Sequence, residues 1–72
     1  MNKLILKEVI HKKWGFYIVG ILETQCFPAS FYAGPIRQDW HTLEWIPKYN
    51  DTRYFHCTKE LAFDALVKEW VK

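Results

Sequence analysis

The chain has 72 residues, of which 50% are hydrophobic, 18% aromatic and 25% charged, and its formal net charge is +2. A domain this short buries only about 60% of the surface its unfolded chain exposes, so it has room for two layers at most. No stretch approaches the roughly 18 consecutive apolar residues of a membrane-spanning helix, and the slight basic excess permits an anionic partner without requiring one.

At the start, Met1-Asn2-Lys3-Leu4-Ile5-Leu6-Lys7-Glu8, charge returns before the apolar region of a signal peptide can form, so a cytoplasmic location and no membrane contact are expected. In that setting Cys26 and Cys57 read as reduced, packed thiols rather than a bridge. Stability must then come from aromatic packing, from self-association or from both. No linker, repeat or low-complexity tract interrupts the chain, which reads as one domain over residues 1–72.

Leu4 to His11 and Phe16 to Thr24 are rich in branched apolar and aromatic residues, and Lys12-Lys13-Trp14-Gly15 separates them as a turn, which predicts an antiparallel hairpin. In its second strand, Phe16, Ile18, Gly20 and Leu22 point one way while Tyr17, Val19, Ile21 and Glu23 point the other. Both faces are therefore largely apolar. Ser30 to Ala33 reads as a third strand ended by Gly34-Pro35, because proline lacks the donor a ladder needs. Ile36 to His41 then reads as a loop, Thr42 to Ile46 as a short strand stopped by Pro47, and Tyr49-Asn50-Asp51-Thr52 as a turn before an extended piece from Arg53 to Cys57. Thr58 has the side chain of an N-cap, and Lys59 to about Val71 follows without Gly or Pro, which predicts a helix. Its heavier stripe, Phe63, Leu66, Val67 and Trp70, is expected to face the sheet. The order implies an α+β fold: a small antiparallel sheet of three or four strands with one C-terminal helix on one face. The expected core is Phe16, Ile18, Leu22, Phe63, Leu66, Val67 and Trp70.

Little in the sequence points to catalysis. Cys26 can be paired with His11, His41 or His56 on paper, but no Gly-rich elbow surrounds either cysteine and no acid stands beside a histidine in a triad pattern. His11, Cys26, His41 and Cys57 lack the close ligand pairs of a zinc site, and the neighbours His56 and Cys57 would point to opposite faces of a strand. Gly15, Gly20 and Gly34 are isolated, with no phosphate-binding loop. The reading is a protein that is not an enzyme and needs neither cofactor nor metal.

Binding has more support. Four Trp, four Tyr and five Phe exceed what one small two-layer core hides, and protein interfaces favour such residues. Two segments pair a cation with an indole: His11-Lys12-Lys13-Trp14 at the hairpin tip, and Arg37-Gln38-Asp39-Trp40-His41 in a loop. They single out Lys12, Lys13, Trp14, Arg37 and Trp40 as binding residues. The same patches, with Tyr17 and Tyr32 on an uncovered sheet face, would suit single-stranded nucleic acid. Against that, the RNA-recognition signature is missing and Glu8, Glu23, Asp39 and Glu44 would repel phosphates. A homodimer that pairs uncovered sheet faces is a third reading.

The run from Trp45 to Leu66, Trp-Ile-Pro-Lys-Tyr-Asn-Asp-Thr-Arg-Tyr-Phe-His-Cys-Thr-Lys-Glu-Leu-Ala-Phe-Asp-Ala-Leu, resembles the ending of many short phage and prophage proteins, often preceded by an aromatic hairpin such as Trp14-Gly-Phe-Tyr-Ile-Val. The resemblance implies a small sheet-plus-helix protein of a mobile element. Members of that group often bind and block host machinery, nucleases and CRISPR complexes included. The sequence therefore reads as a non-enzymatic module that occupies a protein partner's surface, with a nucleic-acid binder and a structural homodimer as alternatives.

Overall fold

A computed structural model describes residues 2–12, 15–24 and 30–70, with only the backbone of Lys12 included. The elements in chain order are β1 (Lys3–Lys12), β2 (Gly15–Thr24), β3 (Ser30–Gln38), β4 (Trp45–Pro47), a 3-10 turn (Thr52–Tyr54), β5 (Phe55–His56) and α1 (Lys59–Glu69). All strand pairs are antiparallel, in the order β1-β2-β3-β4, with β5 also on β3. The α+β architecture expected from the sequence holds, with the two-residue β5 as an addition.

β3 does not stop at Gly34-Pro35 but runs on to Gln38. Its outer edge is shared, β5 taking Phe31 and Tyr32 and β4 taking Ile36 to Gln38. Pro35 falls in the gap between them. The Pro35 carbonyl accepts the Lys48 N–H at 3.0 Å on that side, and the missing donor points the same way, so the β2–β3 ladder loses nothing. Ile36, Arg37 and Gln38 are thus strand residues rather than loop, and Thr42 to Glu44 are loop rather than strand. The piece expected to be extended from Arg53 instead opens with the 3-10 turn, where the Asp51 carboxylate accepts the Arg53 N–H.

The sheet curls until its two outer strands meet. β1 and β4 lie at opposite ends of the strand order, yet the Asn2 N–H donates to Glu44 Oε1 at 2.6 Å and the Lys7 ammonium lies 5.2 Å from the Trp45 ring centroid. Two features permit the curl. The β1–β2 register slips between Leu4 and Leu6, a bulge that sharpens the twist. At Gly20, in the middle of β2, a Cβ would overlap the Leu6 carbonyl oxygen and stand 2.9 Å from Ile36 Cδ1, so only glycine lets β1 and β3 approach so closely. β2 and β3 pair only as far as Val19 and Pro35, and beyond that point the two hairpins go separate ways.

This geometry disposes of most of the apolar surplus. Outside the curl, Val19, Ile21 and Ala33 pack against Ala62 and Leu66 of α1, flanked by Phe31, Phe63 and Trp70. Inside it, Leu22, Tyr32 and Ile36 are buried by Leu4, Ile18, Trp45, Tyr54 and Phe55. The face that one helix cannot reach is therefore covered by the sheet's own far edge and the segment after β4. The nucleic-acid alternative needs Tyr32 on an uncovered face, but this residue is completely buried. Its hydroxyl donates to the Pro35 carbonyl at 2.6 Å, and its ring meets Tyr54 and Phe55 edge-on. Desolvation pushes its pKa up from 10.0 to about 12.

Two expected core residues are not in the core. Val67 is 58% exposed, because α1 turns the stripe Ala62, Leu66 and Trp70 toward the sheet, with Phe63 at its flank. The small side chain at Ala62 fits the sheet at 0% exposure in the place expected of Val67. Phe16 is 64% exposed, since it lies on the part of β2 that has already left β3 and has no second layer above it. Ile18, Leu22, Phe63, Leu66 and Trp70 do pack in the two cores. At the start of α1, the Thr58 hydroxyl accepts the Leu61 N–H as the N-cap, as expected.

Candidate functional site: the tip of the β3–β4 hairpin

Between Gln38 and Trp45 the chain makes a loop whose every turn is fixed. The Asp39 carboxylate accepts the N–H of His41 at 2.8 Å and of Thr42 at 3.0 Å, the pattern of a side chain that mimics a backbone turn. The Asp39 N–H donates to the Glu44 carbonyl at 2.8 Å, and the Asp39 carbonyl accepts the Leu43 N–H at 2.6 Å. Gln38 Nε2 donates to the Leu43 carbonyl at 3.1 Å, and the Glu44 N–H to Thr42 Oγ1 at 3.3 Å. The Thr42 N–H first and the His41 N–H second hold the Asp39 carboxyl below its usual pKa, with a smaller contribution from the Arg37 charge.

What this scaffold presents is apolar. Trp40 is 79% exposed and Leu43 68% exposed. The His41 ring packs against the indole with centroids 3.8 Å apart and planes tilted by 32°. Leu43 sits at φ 59°, in the left-handed region that costs a branched side chain roughly 1 kcal/mol or more. Both acids of the loop are occupied locally, Asp39 by backbone amides and Glu44 by the Asn2 N–H, while Arg37 remains exposed at the base of the hairpin.

The candidate residues divide into two regions. Arg37 and Trp40 share this hairpin. Lys13 and Trp14 lie outside the described residues, as does the side chain of Lys12. The Lys12 backbone closes the ten-residue β1, and Asn2, just before the other end of that strand, meets Glu44, so the Lys12 backbone stands about 30 Å along the strand from that contact. Residue types alone did not single out His41 and Leu43. The available signal was Asp39 followed two and three residues later by His41 and Thr42, the spacing of a side-chain-closed turn.

The other chemical candidates gain no shared geometry. Cys57 is exposed and free, and Cys26 lies outside the described residues. His11 packs against Phe16, and His56 turns Nε2 into the protein without a hydrogen-bond partner. Among the described residues no three His, Cys, Asp or Glu side chains are placed to hold a metal ion, and no helix is long and apolar enough to cross a membrane. No protein-family model, curated protein or solved structure matches the chain.

Proposed function

We propose that this protein is a non-enzymatic interaction module that inserts the β3–β4 hairpin tip into a protein partner and acts by occupying that partner's surface. The observation that carries the reading is the pairing of two large exposed side chains, Trp40 and Leu43, with a loop tied by hydrogen bonds at nearly every residue. Tryptophan anchors dominate binding energy at protein interfaces, and a preformed loop loses little conformational freedom on docking. The strained backbone at Leu43 fits the same reading, since strain of this kind collects at recognition sites. Arg37 adds a cation beside the anchor, which suits a partner pocket with an acidic rim. The resemblance of residues 45–66 to phage and prophage proteins supports a specific version: a cytoplasmic inhibitor of host machinery carried by a mobile element.

The test is affinity capture from host lysate with the wild-type chain and with Trp40→Ala, whose exposed site leaves folding intact. A protein retained by the wild type and lost with Trp40→Ala is the expected result. Equal retention by both chains refutes the reading. So does tight binding of an oligonucleotide pool that is lost with Trp40→Ala and weakens steeply with salt, the mark of phosphate contacts at the hairpin tip itself.

A further inference from the structure

Beyond the hairpin tip, the structure carries a second candidate site. The six residues Tyr49 to Tyr54 line an open depression of about 690 Å³ between β4 and β5. The Tyr49 and Tyr54 rings stand 6.4 Å apart with planes inclined by only 34°, and Tyr49 is 45% exposed. Tyr54 is held from behind by Tyr32 and Trp70 at centroid distances of 5.9 and 6.0 Å, so one of the two rings is rigidly mounted. Lys48 lies at the edge, its ammonium 5.4 Å from the Tyr17 ring and 5.7 Å from the Tyr49 ring. It forms no ion pair among the described residues, because the acid of this loop, Asp51, is engaged by Arg53 through bonds of 2.7, 3.0 and 3.1 Å.

We propose that this depression binds a nucleobase carrying a phosphate, with the base against Tyr49 and Tyr54 and the phosphate on Lys48. Each part of such a ligand meets its chemical complement. A π-face stacks on tyrosine regardless of base identity, the Asn50 amide offers both a donor and an acceptor to a base edge, and the Lys48 ammonium stands beside the rings. The Asp51–Arg53 pair cancels the carboxylate that would otherwise repel an anion. The ligand can be a free nucleotide or the end of a single strand, since both present the same base and phosphate.

Amide shifts recorded by NMR during titration with AMP, adenosine, inorganic phosphate and a short oligothymidylate decide the matter. AMP is expected to give saturable shifts confined to Lys48–Tyr54, adenosine to bind roughly tenfold more weakly, and Lys48→Gln to reduce AMP to the level of adenosine. Tyr49→Ala, at an exposed position, is expected to lower AMP affinity roughly tenfold while shifts elsewhere show an intact fold. No saturation up to about 10 mM AMP overturns the proposal, as do equal shifts from inorganic phosphate alone or unchanged affinity in Tyr49→Ala. Oligothymidylate that binds more tightly than AMP with the same footprint assigns the site to a strand end. A footprint centred on Trp40 overturns it.

Discussion

Replacing Tyr32 by Phe probes the inside of the curled sheet. The substitution keeps the ring between Tyr54 and Phe55 and removes only the hydroxyl that donates to the Pro35 carbonyl at 2.6 Å. That carbonyl keeps the Lys48 N–H at 3.0 Å, so no acceptor is orphaned, and the loss near neutral pH should be about 0.5–1.5 kcal/mol. The pH dependence is more telling. The hydroxyl titrates near 10.0 in an unfolded chain and at about 12 in the folded one, because burial disfavours the phenolate. A raised folded value means the folded state binds the proton more tightly, so the stabilisation is complete below pH 10 and drains away as pH climbs toward 12. At about pH 11 the wild type should have lost roughly 1.4 kcal/mol that Tyr32→Phe does not lose, and full ionisation removes roughly 2–3 kcal/mol. Urea unfolding followed by tryptophan fluorescence, at pH values from neutral to about 11.5, gives the difference between the two proteins. Ionisable groups common to both cancel in that difference. The wild type should lead at neutral pH and its lead should vanish or reverse near pH 11. A difference that stays constant across the range would refute the placement of this phenol in a dry interior.

Three further substitutions test other joints. Gly20→Ala drives a methyl group onto the Leu6 carbonyl oxygen and should destabilise by about 1–3 kcal/mol, read as a lower urea midpoint; an unchanged midpoint would show that β1 and β3 do not approach each other there. Leu66→Ala should cost about 2–5 kcal/mol, whereas Val67→Ala should stay within about 0.5 kcal/mol; the reverse order would mean that α1 presents its other stripe to the sheet. Leu43→Gly relieves the left-handed backbone and should raise stability by up to about 1 kcal/mol while weakening capture of the partner, and a loss of stability would place that residue elsewhere in conformational space.

The elements that proved legible in the sequence are those written in local chemistry. The β1–β2 hairpin follows from two dense apolar runs around a polar turn, and α1 from Thr58 and an uninterrupted helical stretch. The misreadings come from distance along the chain. Pro35 looks like a strand stop until β4 and β5 are seen to divide the edge of β3 and leave a gap for it. The inner face looks unfilled because its cover comes from Trp45 and Phe55, and the contact that closes the curl joins Asn2 to Glu44, 42 residues away. Of the heavier helical stripe, Phe63, Leu66 and Trp70 pack against the sheet, while Val67 gives way to Ala62, whose small side chain lets the helix approach closely. At the candidate site, Trp40 and Arg37 could be chosen by residue type. Leu43 could not, because its importance lies in a backbone angle and in how far Asp39 holds it out.

This changes what the aromatic content argues for. A surplus of aromatic residues suggested that a sheet face lies open for a partner or a second copy, but Tyr32, Tyr54, Phe55 and Trp45 close that face within one chain. Pairing along the β1 edge is also disfavoured. A two-fold axis normal to the sheet pairs residues of like facing, and the central registers then set Glu8 opposite Glu8 or Lys7 opposite Lys7, like charges in direct opposition. Among the described residues Val9, Phe16, Leu43, Tyr49, Leu61 and Val67 stay exposed beside Trp40, which is the most exposed of them and sits on a loop held by hydrogen bonds. Folding would gain by tucking that indole in, or by placing glycine at residue 43, and the chain does neither. Both features are what the proposed binding role of the hairpin tip requires.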